Sequence, residues 1–156
     1  MVKWSGFPSF IFGLEVLLLG IRAPEKNILF DTLFTRQESC MPINGLVWMG
    51  TLADMRAQAI EKIAAGFQTV KLKIGALDWP QELLLLQELR ASAPASELTI
   101  RVDANGAFSP SEIGSVLEEL ARIDIHSIEQ PIGAGQIDQM RELCMHTPVP
   151  IALDEE

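Results

Sequence analysis

Apolar and polar positions alternate along several short stretches of this chain and recur at helical spacing between them. Ile100 and Val102 share one side of an extended run, Arg101 and Asp103 share the other, and Asn105-Gly106 then breaks it. Val70, Leu72 and Ile74 alternate in the same way with Lys71 and Lys73 over Thr69 to Gly75. Apolar runs at Ile43 to Met49, from Ser127 to Glu129 and from Ile151 onward predict further strands. Helical periodicity fills the intervals. Leu52 to Ala65 has Thr51 as cap, Gly66 as stop and an inward stripe of Leu52, Met55, Ala59, Ile60 and Ile63. Trp79 to Ala91 follows Asp78, with Pro80 in the first turn. Pro110 to Ile123 follows Ser109, which forms a capping box with Glu112, and a last helix covers about Ile137 to His146. Strands that alternate with helices in this way are parallel, because only a crossover element returns the chain to start the next strand in the same direction. The order βαβαβαβαβ is therefore predicted from Ile43 to Glu156.

The first quarter of the chain is less regular. Lys3 followed by the apolar run Phe7 to Ile21 superficially resembles a secretory leader, but Glu15 interrupts the run, Pro8 starts it and no small-residue cleavage site follows Gly20. An amphipathic helix capped by Ser9 and closed by Gly20 is the preferred reading, with Phe10, Leu14, Leu17 and Leu18 packing on a neighbour. It is too short to span a bilayer. Arg22 to Met41, with Pro24 and Asn27, is read as a connection that holds a short strand within Ile28 to Phe34.

The alternation also delivers carboxylates to strand ends. Asp103, Glu129 and Asp154 each follow an apolar strand, at spacings of 26 and 25 residues. One strand, one helix and two short loops take about that many residues, so the three acids are predicted on one rim of the sheet. A single acid at a strand end is ordinarily a solvated loop residue. Three in step repel one another, and a hard cation such as Mg²⁺ relieves that repulsion. Lys71 and Lys73 share one side of their strand: on a solvent-facing antiparallel strand they would be ordinary surface residues, but this strand lies between two helices, which favours a covered parallel sheet, and if that sheet curved into a barrel they would point to its interior.

Composition narrows the reading further. The 156 residues suffice for a domain with a true core, and 48% apolar with 21% charged residues describes an ordinary globular protein. A net charge of −9 argues against nucleic acid, whose phosphates need a basic face. Cys40 and Cys144 are far apart and lack metal-ligand spacing, which fits free thiols in a reducing cytoplasm. No phosphate-cradling glycine motif is present, and His126 and His146 show no catalytic pattern.

Lys71-Leu-Lys73, Asp103-Ala-Asn105, Glu129-Gln-Pro131 and Asp154-Glu-Glu156 together resemble the base and metal motifs of the enolase superfamily, in its muconate lactonising branch. Within that branch the motifs most resemble the o-succinylbenzoate synthases, Mg²⁺-dependent dehydratases of menaquinone biosynthesis. The resemblance implies a partial (β/α)8 barrel of about five strands preceded by one helix, truncated relative to the family. Residues 1–41 would be the helix and connection from a capping domain, and 42–156 the first part of the catalytic barrel. It implies Lys73 as acid/base with Lys71 as its neighbour, and Asp103, Glu129 and Asp154 as ligands of Mg²⁺, for which Mn²⁺ can substitute. Asn105 and Arg101 would support the site or touch substrate. The implied partner is a small carboxylate, with no nucleic acid or membrane, and homo-oligomerisation stays open. A second lysine, the capping domain and three strands of the family's barrel lie outside this sequence, so the isolated chain is expected to be nearly inactive. The alternatives are an N-acylamino acid racemase or dipeptide epimerase of the same superfamily, or an inactive remnant.

Overall fold

The computed structural model describes residues 7–23, 25 and 28–156. Two compact units divide the chain, one within residues 1–42 and one within 43–156. Lys3, Pro24 and Asn27, used in the readings above, lie outside the described residues.

In the first unit, α1 (Pro8–Arg22) starts at its proline rather than at Ser9, because proline's fixed φ and missing N–H suit the first helical position. No side chain caps it, and it runs through Gly20 to end where Ala23 turns extended. The apolar stripe expected to pack is exposed: α1 has no buried residue. The strand expected within 28–34 is absent among the described residues. A single antiparallel bridge joins Glu25 to Ile28, and a turn follows in which Thr32 and Thr35 exchange side-chain hydrogen bonds. No described helix is long and apolar enough to cross a membrane.

The second unit contains β1 (Gly45–Val47), α2 (Leu52–Ala64), β2 (Thr69–Lys73), α3 (Trp79–Ser92), β3 (Thr99–Asp103), α4 (Ile113–Arg122), β4 (Ser127–Glu129), α5 (Ile137–His146) and β5 (Ile151–Ala152). All neighbouring strands are parallel and their spatial order equals their chain order. This is an arc of a βα barrel, as the alternation predicts. Val70, Leu72, Ile100, Val102 and Ile128 are buried on the face covered by helices, where they meet Met55, Leu86, Val116, Leu120 and Met140 in one core.

Two helical details differ from expectation. Ile60 is exposed, so the inward stripe of α2 reduces to Met55 and Ala59, with Leu52 and Ile63 at its margins. The helix expected from Pro110 begins only at Ile113, because the Glu112 carboxylate accepts both the Ser109 hydroxyl and the Ser109 N–H and closes a separate turn. That pairing holds the Glu112 carboxyl below its usual range. By contrast, Thr51 and Asp54 form the full reciprocal box at the start of α2.

A candidate active site at the rim of the sheet

Because side chains alternate across a strand, the face opposite the core carries Lys71 and Lys73 from β2, Arg101 and Asp103 from β3, and Ser127 and Glu129 from β4. Register stacks them in rows. Lys71 lies beside Arg101, which lies beside Ser127; one row higher, Lys73 lies beside Asp103, which lies beside Glu129 and then Ala152. Asp154 is two residues beyond Ala152, at the same strand-end rim.

Two lysines and two acids meet there. Lys73 Nζ donates to Asp103 Oδ2 and to Asn105 Oδ1, both at 2.7 Å, and stands 5.8 Å from the centre of the Trp48 ring. Lys71 Nζ donates to Glu129 Oε2 at 2.6 Å and approaches Asp103 Oδ2 to 2.9 Å. One ammonium group thus bridges the acids of two neighbouring strands. Burial works against the charge of Lys71, but its bonds to Glu129 and Asp103 outweigh it and raise its pKa above the ordinary value. Burial likewise disfavours the Asp103 carboxylate, yet Lys73 and Lys71 together hold its pKa below the usual carboxylate range.

Asn105 serves the site twice. Its side chain accepts from Lys73 and donates to Glu155 Oε1 at 2.9 Å, while its backbone N–H donates to Asp103 Oδ1. The turn is left-handed at Asn105 (φ 44°) and Gly106 (φ 73°), and a Cβ on Gly106 would lie 2.8 Å from Gly133 Cα. Only glycine fits that approach. Arg101 is tied to Asn44 Oδ1 at 3.4 Å, and its buried Nε has no hydrogen-bond partner among the described residues.

The expected metal triad is only partly assembled. Asp103 and Glu129 converge on Lys71, whereas Asp154 lies in the exposed stretch after the two-residue β5. Among the described residues no three acid, histidine or cysteine side chains stand together as a metal-holding group. The donor chemistry nevertheless suits a hard cation: the three groups are carboxylates, and a positive charge already sits between two of them. His126 and His146 are engaged locally with Ser127 and Glu142, away from these groups, and Cys40 and Cys144 are free and exposed.

Two buried polar residues, Glu82 and the Gln130 inside the Glu129-Gln-Pro131 motif, were given no role by the sequence. Glu82, almost fully enclosed in α3, accepts the N–H groups of Gly75, Ala76 and Leu77 and so pins the loop that follows Lys73. Gln130, directly after Glu129, is completely buried in a left-handed conformation. Polar residues that serve backbone groups of other segments leave no periodic signal. The only cue in the sequence is a glutamate or glutamine at a position otherwise suited to the core.

The opposite end of the strands is tied together by a different kind of contact. Arg90 donates there to the carbonyls of Ala93, Leu98, Ile123 and Asp124, a role in holding loops together.

Known proteins agree with this architecture. The family described as enolase C-terminal domain-like matches residues 54–156. The o-succinylbenzoate synthase of Desulfotalea psychrophila is 46% identical over 150 residues, which is 96% of this chain and 41% of that protein. The crystal structure of MenC from Desulfotalea psychrophila LSv54 superposes with a TM-score of 0.71 at 47% identity, over 82% of this chain and 35% of that one. An o-succinylbenzoate synthase from Thermosynechococcus elongatus BP-1, solved with Mg in its active site, gives a TM-score of 0.67 at 28% identity, over 75% of this chain and 37% of that one. The chain therefore spans about two fifths of the length of the Desulfotalea psychrophila synthase. With a parallel βα arc and a family match that covers most of its length, the chain belongs to the enolase C-terminal domain-like family.

Proposed function

We propose that this chain forms part of the active site of a Mg²⁺-dependent dehydratase of the o-succinylbenzoate synthase kind. The reaction converts 2-succinyl-6-hydroxy-2,4-cyclohexadiene-1-carboxylate to 2-succinylbenzoate, and the protein works in the cytoplasm on this small carboxylate. The observation that carries the reading is the meeting of Lys73, Lys71, Asp103 and Glu129 on one strand-end rim.

Removing a proton beside a carboxylate is hard because the product places a second negative charge on the same oxygens. Asp103, Glu129 and Asp154 would hold the divalent ion, whose charge opposes that build-up when it is bound. Lys73 takes the proton at its Nζ in the neutral form and is held at the site by Asp103 and Asn105. Lys71 keeps the pair of acids from repelling one another and adds positive charge beside the developing anion. The same Lys73 then returns the proton to the departing hydroxide. Water leaves and the ring becomes aromatic. Arg101 and Asn105 orient the carboxylate end of the substrate.

A chimera tests this. The segment of the Desulfotalea psychrophila o-succinylbenzoate synthase that matches this chain is replaced by the chain itself, and ring aromatisation is followed by absorbance. The reading predicts turnover by the folded chimera. A folded chimera that fails to dehydrate this substrate but exchanges solvent deuterium into N-acylamino acids or dipeptides would instead establish the racemase or epimerase alternative.

A further inference from the structure

The three acids assigned to the metal sit on three separate segments, and one residue touches all three segments. Gln130 follows Glu129 directly. Its carbonyl accepts the Gly106 N–H at 2.7 Å, in the turn that follows Asp103, and its N–H donates to Ala152 O at 2.9 Å in β5. Its side chain continues the pattern. Oε1 accepts the Asp154 N–H at 3.1 Å, and Nε2 donates to Ile132 O at 3.0 Å and to Glu156 Oε1 at 3.2 Å. The side chain is fully buried, so these bonds are shielded from competing water.

From this geometry we infer that Gln130 is a positioning residue that fixes the position of the Asp154 segment relative to Asp103 and Glu129. The inference rests on the reading of those three acids as metal ligands. Two features make the side chain the decisive part. The β4–β5 ladder ends with the bond from Gln130 N–H to Ala152 O, so among the described residues no further ladder bond ties the chain beyond Ala152 to β4. The bond from Asp154 N–H to Gln130 Oε1 is what continues the attachment to the residue that carries the carboxylate. Gln130 is also left-handed (φ 40°), which turns its side chain back across the strand ends. Glutamine suits the place because one end must accept an N–H while the other donates to a carbonyl. A glutamate keeps the first function and loses the second.

The test compares wild type with Gln130→Met, which keeps the length but neither polar end, and with Gln130→Glu, which keeps the acceptor for Asp154. Hydrogen exchange of individual amides and Mn²⁺ binding by calorimetry are measured for each, with Asp154→Asn as a control. In Gln130→Met the Asp154 amide exchanges about fivefold faster, the factor expected for one lost hydrogen bond, while the Leu72 amide keeps its protection. Mn²⁺ affinity falls about tenfold, in the range seen when groups that orient metal ligands are removed. Gln130→Glu restores most of the Asp154 protection. If Gln130→Met does not fold, the comparison of Gln130→Asn, too short to reach Asp154, with Gln130→Glu gives the same readout. Unchanged Asp154 exchange in the folded variants overturns the positioning role, whatever the metal does. If wild type binds no Mn²⁺, or Asp154→Asn binds it as well as wild type, the metal reading fails, and the exchange data still decide for or against Gln130.

Discussion

The two faces of the sheet follow the same alternation and put it to different uses. On one, Val70, Leu72, Ile100, Val102 and Ile128 are sealed under the helices. On the other, the residues between them are Lys71, Lys73, Arg101, Asp103 and Glu129. A fold that needed only stability would have no reason to place charges there, since partly buried ion pairs roughly break even against apolar residues of the same size. Stability is therefore concentrated on the helix side, the proposed chemistry belongs to the other, and substitutions on the two sides should fail in different ways.

The largest effect belongs to the charged face. In the chimera, Lys73→Ala is expected to lower kcat by about 10²–10⁴, the usual contribution of a positioned acid/base. Mn²⁺ affinity should stay within about twofold of the parent, because the acids proposed as ligands are untouched. Equal turnover by the variant removes Lys73 as the base.

Next comes the apolar face, where Leu72→Ala should destabilise the chain by about 2–5 kcal/mol, since Leu72 is fully buried and leaves a cavity. On the other face, the paired replacement Lys71→Met with Glu129→Met should change stability by less than about 1.5 kcal/mol, because it removes both partners of one ion pair together, in similar volume, while Asp103 keeps Lys73. Urea unfolding of both variants decides the matter, and a larger loss for the paired replacement would reverse the division of labour between the faces.

The turn that joins the faces responds more weakly. Gly106→Ala forces a side chain into a left-handed position and against Gly133, and is expected to cost about 1–3 kcal/mol in the same unfolding experiment.

The smallest effect is one of pH, because burial and the two ammonium groups pull on Asp103 in opposite directions. Its pKa is lower in the folded state, so the stability it adds is present above the unfolded value near 3.8 and is lost as pH falls through the folded value. Lys71 has a raised pKa, so its contribution is complete below about 10.5 and is lost as pH rises through its folded value. Unfolding midpoints of the metal-free chain and of Asp103→Asn should therefore converge at the acid end of a titration from pH 7 to 2.5. A constant gap would show that Asp103 titrates alike in both states.

Much of this was legible in the sequence because it follows from periodicity. Period two placed β2 and β3 with their lysines and acids on one face, and Thr51 caps α2 as expected, whereas α3 starts directly after Asp78 without a cap hydrogen bond from the Asp78 side chain. Features that depend on distant partners were not legible. Gln130 and Glu82 bond to backbone groups that only the fold brings near. Ser109 and Glu112 satisfied a capping pattern and formed a turn instead, because the carboxylate bonds back to Ser109 without Ser109 capping the helix in return. Ser9 lost the start of α1 to Pro8. The partial convergence of the acids was equally out of reach, since even spacing fixes the rim but not the direction in which each carboxylate points.

The account stands or falls on where a divalent ion binds. Crystals of the chain soaked in Mn²⁺ and measured at the manganese absorption edge should give one anomalous peak within about 2–2.6 Å of carboxylate oxygens from Asp103, Glu129 and Asp154, with Lys73 Nζ facing the same space. A peak elsewhere on the molecule, or a peak at the rim that leaves Asp154 or Glu129 outside coordination distance, would contradict it.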